Sequence, residues 1–214
     1  MTKVLEFKPG TPTKFDFERV RKRKKELPER PGQLNLFSGT SGRVLKLPTD
    51  IGTFEEALLL DERGDTRARD VYLLAITEDD SKADAYCNLG IIESKSGQTA
   101  RAFDCLTRSL EQEPRHFESH YNLGNLYFEA GDLRLARTHY EMASEVDPDF
   151  PNLYFNLGLV LALQDELQPA INAFKKYQHL APREESRKAD NIMSSLQRSL
   201  VSLKKKHPRP SRQG

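Results

Sequence analysis

The sequence predicts an all-α protein built as a row of helical hairpins, and three observations carry that prediction. First, the middle of the chain repeats itself every 34 residues: Leu89-Gly90 returns as Leu123-Gly124 and Leu157-Gly158, Ala102 as Ala136 and Ala170, and Pro114 as Pro148 and Pro182. Second, the punctuation inside each unit is that of a helix pair. Gly97-Gln98 and Gly131-Asp132 close a first helix and open a turn, and the three prolines stop the second helix, because a proline supplies no N–H to the ladder. Third, charged residues make up 30% of the chain and aromatics 8%, with no Trp, which suits helices better than a sandwich or barrel.

Taken in chain order, residues 1–48 form a basic arm with five prolines and no sustained period, mostly irregular. Within it, residues 15–27 admit a short helix carrying Arg19, Arg21, Lys22, Arg23, Lys24 and Lys25. Such a cluster contacts nucleic-acid phosphates in some proteins and is more often a solvated charged segment. Residues 33–37 and 43–47 alternate on either side of a Ser/Gly loop and read as a small hairpin that would have to lean on the first repeat. The stretch Gln33, Leu34, Asn35, Leu36, Phe37 also resembles the pentapeptide by which bacterial replication and repair proteins dock on the sliding clamp. That resemblance implies polar contacts from Gln33 and an apolar pocket for the Leu and Phe side chains.

The first repeat, residues 49–82, is atypical: Gly64-Asp65 marks its turn, and Asp80 stands where the others close with Pro. Terminal repeats face solvent on one side and tolerate such departures. Three regular repeats follow at 83–116, 117–150 and 151–184. The last has Asp165-Glu166 in place of Gly-Asp and Pro169 in the first turn of its second helix. Residues 185–204 read as an amphipathic capping helix with Ala189, Ile192, Leu196 and Leu200 on one face. The basic tail 205–214 has no apolar face and is expected to be disordered.

Tyr86, His120 and Tyr154 stand three before each Leu, and Leu106, Tyr140 and Phe174 stand four after each Ala. Together with the Leu-Gly, Ala and Pro positions, this pattern resembles the tetratricopeptide repeat over residues 83–184. The resemblance implies a right-handed α-solenoid whose first helices line a concave groove. The groove is then expected to present Asn88 and Ile91 from the second repeat; Tyr121, Asn122, Asn125 and Phe128 from the third; and Phe155, Asn156 and Leu159 from the fourth. Asn88, Asn122 and Asn156 recur once per repeat, and amides pair with both donors and acceptors of an extended peptide. An equally ordinary role for them is to pin neighbouring helices. Some relatives grip chaperone C-terminal carboxylates through groove cations. Here Cys87, Glu118 and Asn122 hold those positions, so no carboxylate clamp is expected.

Charge is segregated: the net is +6 over residues 1–50, −11 over 51–182 and +6 over 183–214. An acidic groove favours a neutral or basic peptide ligand, and the basic arm or tail is itself a candidate to fold onto the acidic body. Cys87 and Cys105 form no metal or redox motif, which reads as a reducing, cytoplasmic setting. There is no phosphate loop, nucleophile elbow or zinc-protease helix, and His116 and His120 have no third ligand. The expectation is a non-enzymatic scaffold or adaptor without cofactor, metal or membrane span. The alternative is a DNA-associated or clamp-associated factor recognised through the arm, with nucleic acid the less favoured partner.

Overall fold

A computed structural model describes residues 14–21 and 51–206, and the described residues contain helices and no strands. Four helical hairpins follow one another: α1 (Thr53–Glu62) with α2 (Ala68–Thr77), α3 (Lys82–Lys95) with α4 (Thr99–Gln112), α5 (Phe117–Glu129) with α6 (Leu133–Val146), and α7 (Pro151–Leu163) with α8 (Leu167–Leu180). The fold is an α-solenoid. Within each hairpin the two helices pack closely, and each second helix packs on the first helix of the next hairpin. First helices also touch across repeats, α3 against α5 and α5 against α7, which curves the stack toward the first-helix side.

The hairpin turns share one geometry. The Gln98 N–H donates to Glu93 O at 2.8 Å and the Gly97 N–H to Ser94 O at 2.9 Å, and Gly131 with Asp132 makes the same pair to Phe128 and Tyr127. This pair of hydrogen bonds satisfies the last carbonyls of the first helix and requires a left-handed residue, supplied by Gly97 at φ 75° and Gly131 at φ 79°. In the fourth hairpin Asp165 occupies that place at φ 62°.

Close crossing inside each hairpin rests on the repeated glycine. A Cβ on Gly90 would come within 2.9 Å of Leu106, on Gly124 within 2.5 Å of Tyr140, and on Gly158 within 2.9 Å of the Phe174 ring. The side chains four residues after each repeated Ala therefore lie over the glycine of the same unit. Leu106, Tyr140 and Phe174 are fully buried as a result.

The solenoid ends in a broken cap rather than one continuous helix. A single turn α9 (Arg183–Ser186) passes through a 3-10 turn (Arg187–Ala189) into α10 (Asp190–Lys206). The Tyr177 hydroxyl donates to Glu185 O at 2.9 Å, holding the break, and Ala189, Ile192, Met193 and Leu196 complete the core against α8.

The short helix expected from residue 15 does not form over the described part of the arm, since residues 14–21 have no helical structure. Lys22 to Lys25, the expected hairpin, the Gln33, Leu34, Leu36, Phe37 segment and the tail beyond residue 206 lie outside the described residues.

Candidate functional site

Residues 14–21 lie along the first-helix side of the solenoid, and the three recurring asparagines hold them there. Asn156 Oδ1 accepts from the Phe15 N–H at 2.7 Å, and its Nδ2 donates to Phe15 O at 3.1 Å. Asn122 does the same to Glu18, at 2.8 and 2.7 Å, and Asn88 to Val20, at 2.9 and 3.0 Å. Each amide thus satisfies both backbone groups of one residue, as a neighbouring β-strand would.

Geometry explains why the segment is extended. Successive rungs are three and then two residues apart along the arm. An extended chain advances about 3.3–3.6 Å per residue, so these steps cover roughly 7–11 Å, comparable to the 8–10 Å between packed helices. A helix would advance only about 1.5 Å per residue and could not meet successive rungs. The arm runs from α7 to α5 to α3, antiparallel to the order of the repeats.

Side chains add to the rungs. Phe15 meets Phe155 edge to face at 5.1 Å between centroids and Tyr177 at 5.8 Å, with the Lys188 ammonium 4.6 Å from its ring centre. Val20 is fully buried in the core cluster that holds Phe54, Tyr72 and Leu89. Arg19 forms a two-pronged pair with Asp61, both N···O distances 2.9 Å, and Lys14 reaches Glu129 at 2.9 Å. Burial pushes the Asp61 carboxyl above its ordinary range, and Arg19 offsets part of that. Burial likewise raises Glu18; nearby Arg21 opposes the shift and Glu118 adds to it. Phe17, Glu18, Arg19 and Arg21 border a cleft of about 330 Å³ with Glu62, Ile91 and Lys95.

The expected groove residues are brought onto this face, but several are not surface groups. Tyr121 and Phe155 are buried, as are Ile91 and Leu159, whereas the sequence suggested exposed aromatic and aliphatic side chains. Tyr121 packs on Phe117, Tyr140 and Phe150, and its hydroxyl accepts from Asn156 Nδ2 at 3.0 Å, so it orients a rung. Asn125 acts similarly: its Oδ1 accepts from the Tyr140 hydroxyl at 2.6 Å and from Asn156 Nδ2 at 2.9 Å. Asn122 Nδ2 also donates to Cys87 Sγ at 3.4 Å. Phe128 is half-buried against the core. Both roles open to the asparagines in the sequence are therefore present, since the same amides brace helices and hold the arm. Of the basic cluster, Arg19 is engaged by Asp61 and Arg21 is exposed.

Sequence reasoning missed Phe15 and Val20 as site residues. The signal was there, because Phe15-Asp16-Phe17-Glu18 alternates with period two, the mark of an extended segment.

Cys87, which stands at a groove position of the repeat, is completely buried, and burial pushes its thiol up to about 12. Neither histidine of the 116/120 pair is placed for a metal. His116 Nδ1 accepts from the Ser119 N–H at 3.1 Å as a helix cap, and its Nε2 lies 2.8 Å from Asp84. His120 Nε2 donates to Pro114 O at 3.0 Å, the bond the Tyr154 hydroxyl makes to Pro148 O at 2.9 Å one repeat later. Among the described residues no group of three or more His, Cys, Asp or Glu is arranged to hold a metal ion, and no helix is long and apolar enough to cross a membrane.

Family comparison agrees with the geometry. Models described as Tetratricopeptide repeat match residues 83–116 and 105–138, and one described as TPR repeat matches residues 124–165. The chain is 24% identical over 116 residues to the BBSome complex member BBS4 of Bos taurus, covering 54% of this chain and 22% of that protein. It is 29% identical over 90 residues to tetratricopeptide repeat protein 8 of Homo sapiens, covering 42% and 16%. The chain thus spans under a quarter of the length of these curated relatives. Among solved structures, a MamA RS-1 double mutant aligns with TM-score 0.55 at 18% identity, over 71% of this chain and 94% of that one. The first TPR domain of Spaghetti (RPAP3), solved with an HSP90 peptide, aligns with TM-score 0.53 at 20% identity, over 56% and 94%.

Proposed function

The chain is a tetratricopeptide-repeat protein, and from that premise we propose that it is a non-catalytic protein-interaction scaffold whose first-helix groove holds an extended peptide. One observation carries the reading: three asparagines, one per repeat, each pair with both backbone groups of a bound extended segment. Backbone pairing of this kind is independent of side-chain identity and so suits a groove that accepts segments of other proteins.

The charges favour a neutral or basic ligand. Asp61 and Glu129 already hold cations, and the cations that a chaperone-tail carboxylate would require are replaced by Cys87, Glu118 and Asn122. The two free, buried cysteines support a reducing compartment such as the cytoplasm. In the DNA-associated or clamp-associated alternative, the arm itself makes the recognition contacts; Lys14 and Arg19 are then already engaged, by Glu129 and Asp61.

Affinity purification from the native host tests the proposal, comparing the wild-type chain with Asn122→Ala/Asn156→Ala. Specific protein partners lost from the double variant, with the helical melting transition retained, is the expected result. Partners that persist on the double variant and disappear on Gln33→Ala/Phe37→Ala would move recognition to the arm.

A further inference from the structure

The groove is already occupied by the chain's own residues, and the way it holds them specifies more than a backbone. Two apolar side chains enter the solenoid at opposite ends of the seat: Phe15 between Phe155 and Tyr177, and Val20 into the core beside Tyr72. Each follows a cation that meets a carboxylate of the body, Lys14 on Glu129 and Arg19 on Asp61. Between them Asp16 points to solvent, and Glu18 is held chiefly by its backbone.

We propose, resting on the groove reading above, that residues 14–21 are a built-in competitor. The partners of this protein then carry an extended segment of the same pattern: a basic residue and an aromatic, three further residues, then an arginine and a β-branched aliphatic. Such a segment enters by displacing the arm, antiparallel to the repeats. The asparagine rungs supply affinity for any extended backbone, and the two apolar seats with their flanking carboxylates supply selectivity. The spacing is fixed by the solenoid, because Phe15 sits at the Asn156 rung and Val20 at the Asn88 rung, two repeats apart. A segment with one residue more or fewer between its anchors cannot fill both seats with its amides in register.

Tethering sets the size of the effect. A segment joined to its site competes at an effective concentration of order millimolar, so a free peptide of equal intrinsic affinity, with a Kd of about 0.1 mM or tighter, binds the intact chain at least about tenfold more weakly than a chain whose arm cannot seat.

The test titrates the full-length chain into a fluorescein-labelled peptide copying residues 12–23, and into one of the same composition in shuffled order. Wild type is compared with Phe15→Asp/Val20→Asp, and with Arg19→Glu as a milder arm variant should the first fail to fold. The expected result is at least about tenfold tighter binding of the native-order peptide by the arm variants, with the shuffled peptide at least about tenfold weaker. Equal affinity of wild type and arm variants for the native-order peptide overturns the competitor. Equal affinity for native and shuffled peptides overturns the pattern, and if Asn122→Ala added to the arm variant abolishes both, the groove reading stands alone. No binding by a well-folded arm variant overturns the groove reading itself. Light scattering completes the set: a dimer that dissociates as peptide binds would place the arm in a second copy and overturn the internal seat.

Discussion

At the scale of single residues, Asp165 is strained where glycine would not be. It takes the left-handed conformation that Gly64, Gly97 and Gly131 take in the other hairpins. Asp165→Gly is expected to stabilise the fold by about 0.5–1 kcal/mol, read as a rise in the denaturant midpoint at unchanged slope. Asn122→Ala removes both bonds to Glu18 and the contact to Cys87. It should cost about 1–3 kcal/mol and make the arm cleavable by trypsin under native conditions. His139 lies against His120, Nδ1 to Nδ1 at 3.2 Å, and burial with that neighbour pushes it down to about 4. Between pH 4 and about 6.5 the His139 ring binds more protons in the unfolded chain than in the folded one, so its contribution to stability is complete above that window and is lost as pH drops through it. Thermal melts across pH 4 to 7 check this, and His120→Tyr, which copies Tyr154, should lessen the slope.

At the scale of elements, the hairpins were legible because glycine, alanine and proline are fixed by backbone geometry and recur in register. Gly124 shows how tight that geometry is: Gly124→Ala drives a methyl onto the Tyr140 ring, and about 1–3 kcal/mol of destabilisation is expected in urea unfolding. What periodicity could not show was the burial of the first helices. In α7 every residue from Leu153 to Ala162 is buried, so no polar face marks which side is the groove. Counting from the Leu-Gly pairs leads to the side on which residues 14–21 lie; there Phe155 meets Phe15 edge to face, while Tyr121 is a buried support whose hydroxyl accepts from Asn156. The arm was harder still. Its basic run invited a helix, while the geometry of the rungs, which favours an extended chain, is a property of a surface assembled from three separate repeats.

At the scale of the whole molecule, residues 14–21 meet a body of net charge −11, yet among the described residues charge is the lesser part of their attachment. Of the two ion pairs that residues 14–21 make with the body, Lys14–Glu129 leaves its carboxylate 49% exposed, whereas the six amide bonds and the Phe15 and Val20 contacts are shielded from salt. Raising salt from 0.1 to 1 M is expected to speed proteolysis of the arm by less than about tenfold. A larger increase would show that electrostatics dominate.

The same attachment joins residues far apart in the order of manufacture. Phe15 pairs with an asparagine 141 positions later, and a ribosome adding about 5–20 residues per second needs roughly 7–30 s to travel that distance. Throughout that interval the rung that holds Phe15 does not yet exist, so each new molecule passes through a period in which residues 14–21 are made but cannot be seated on all three rungs.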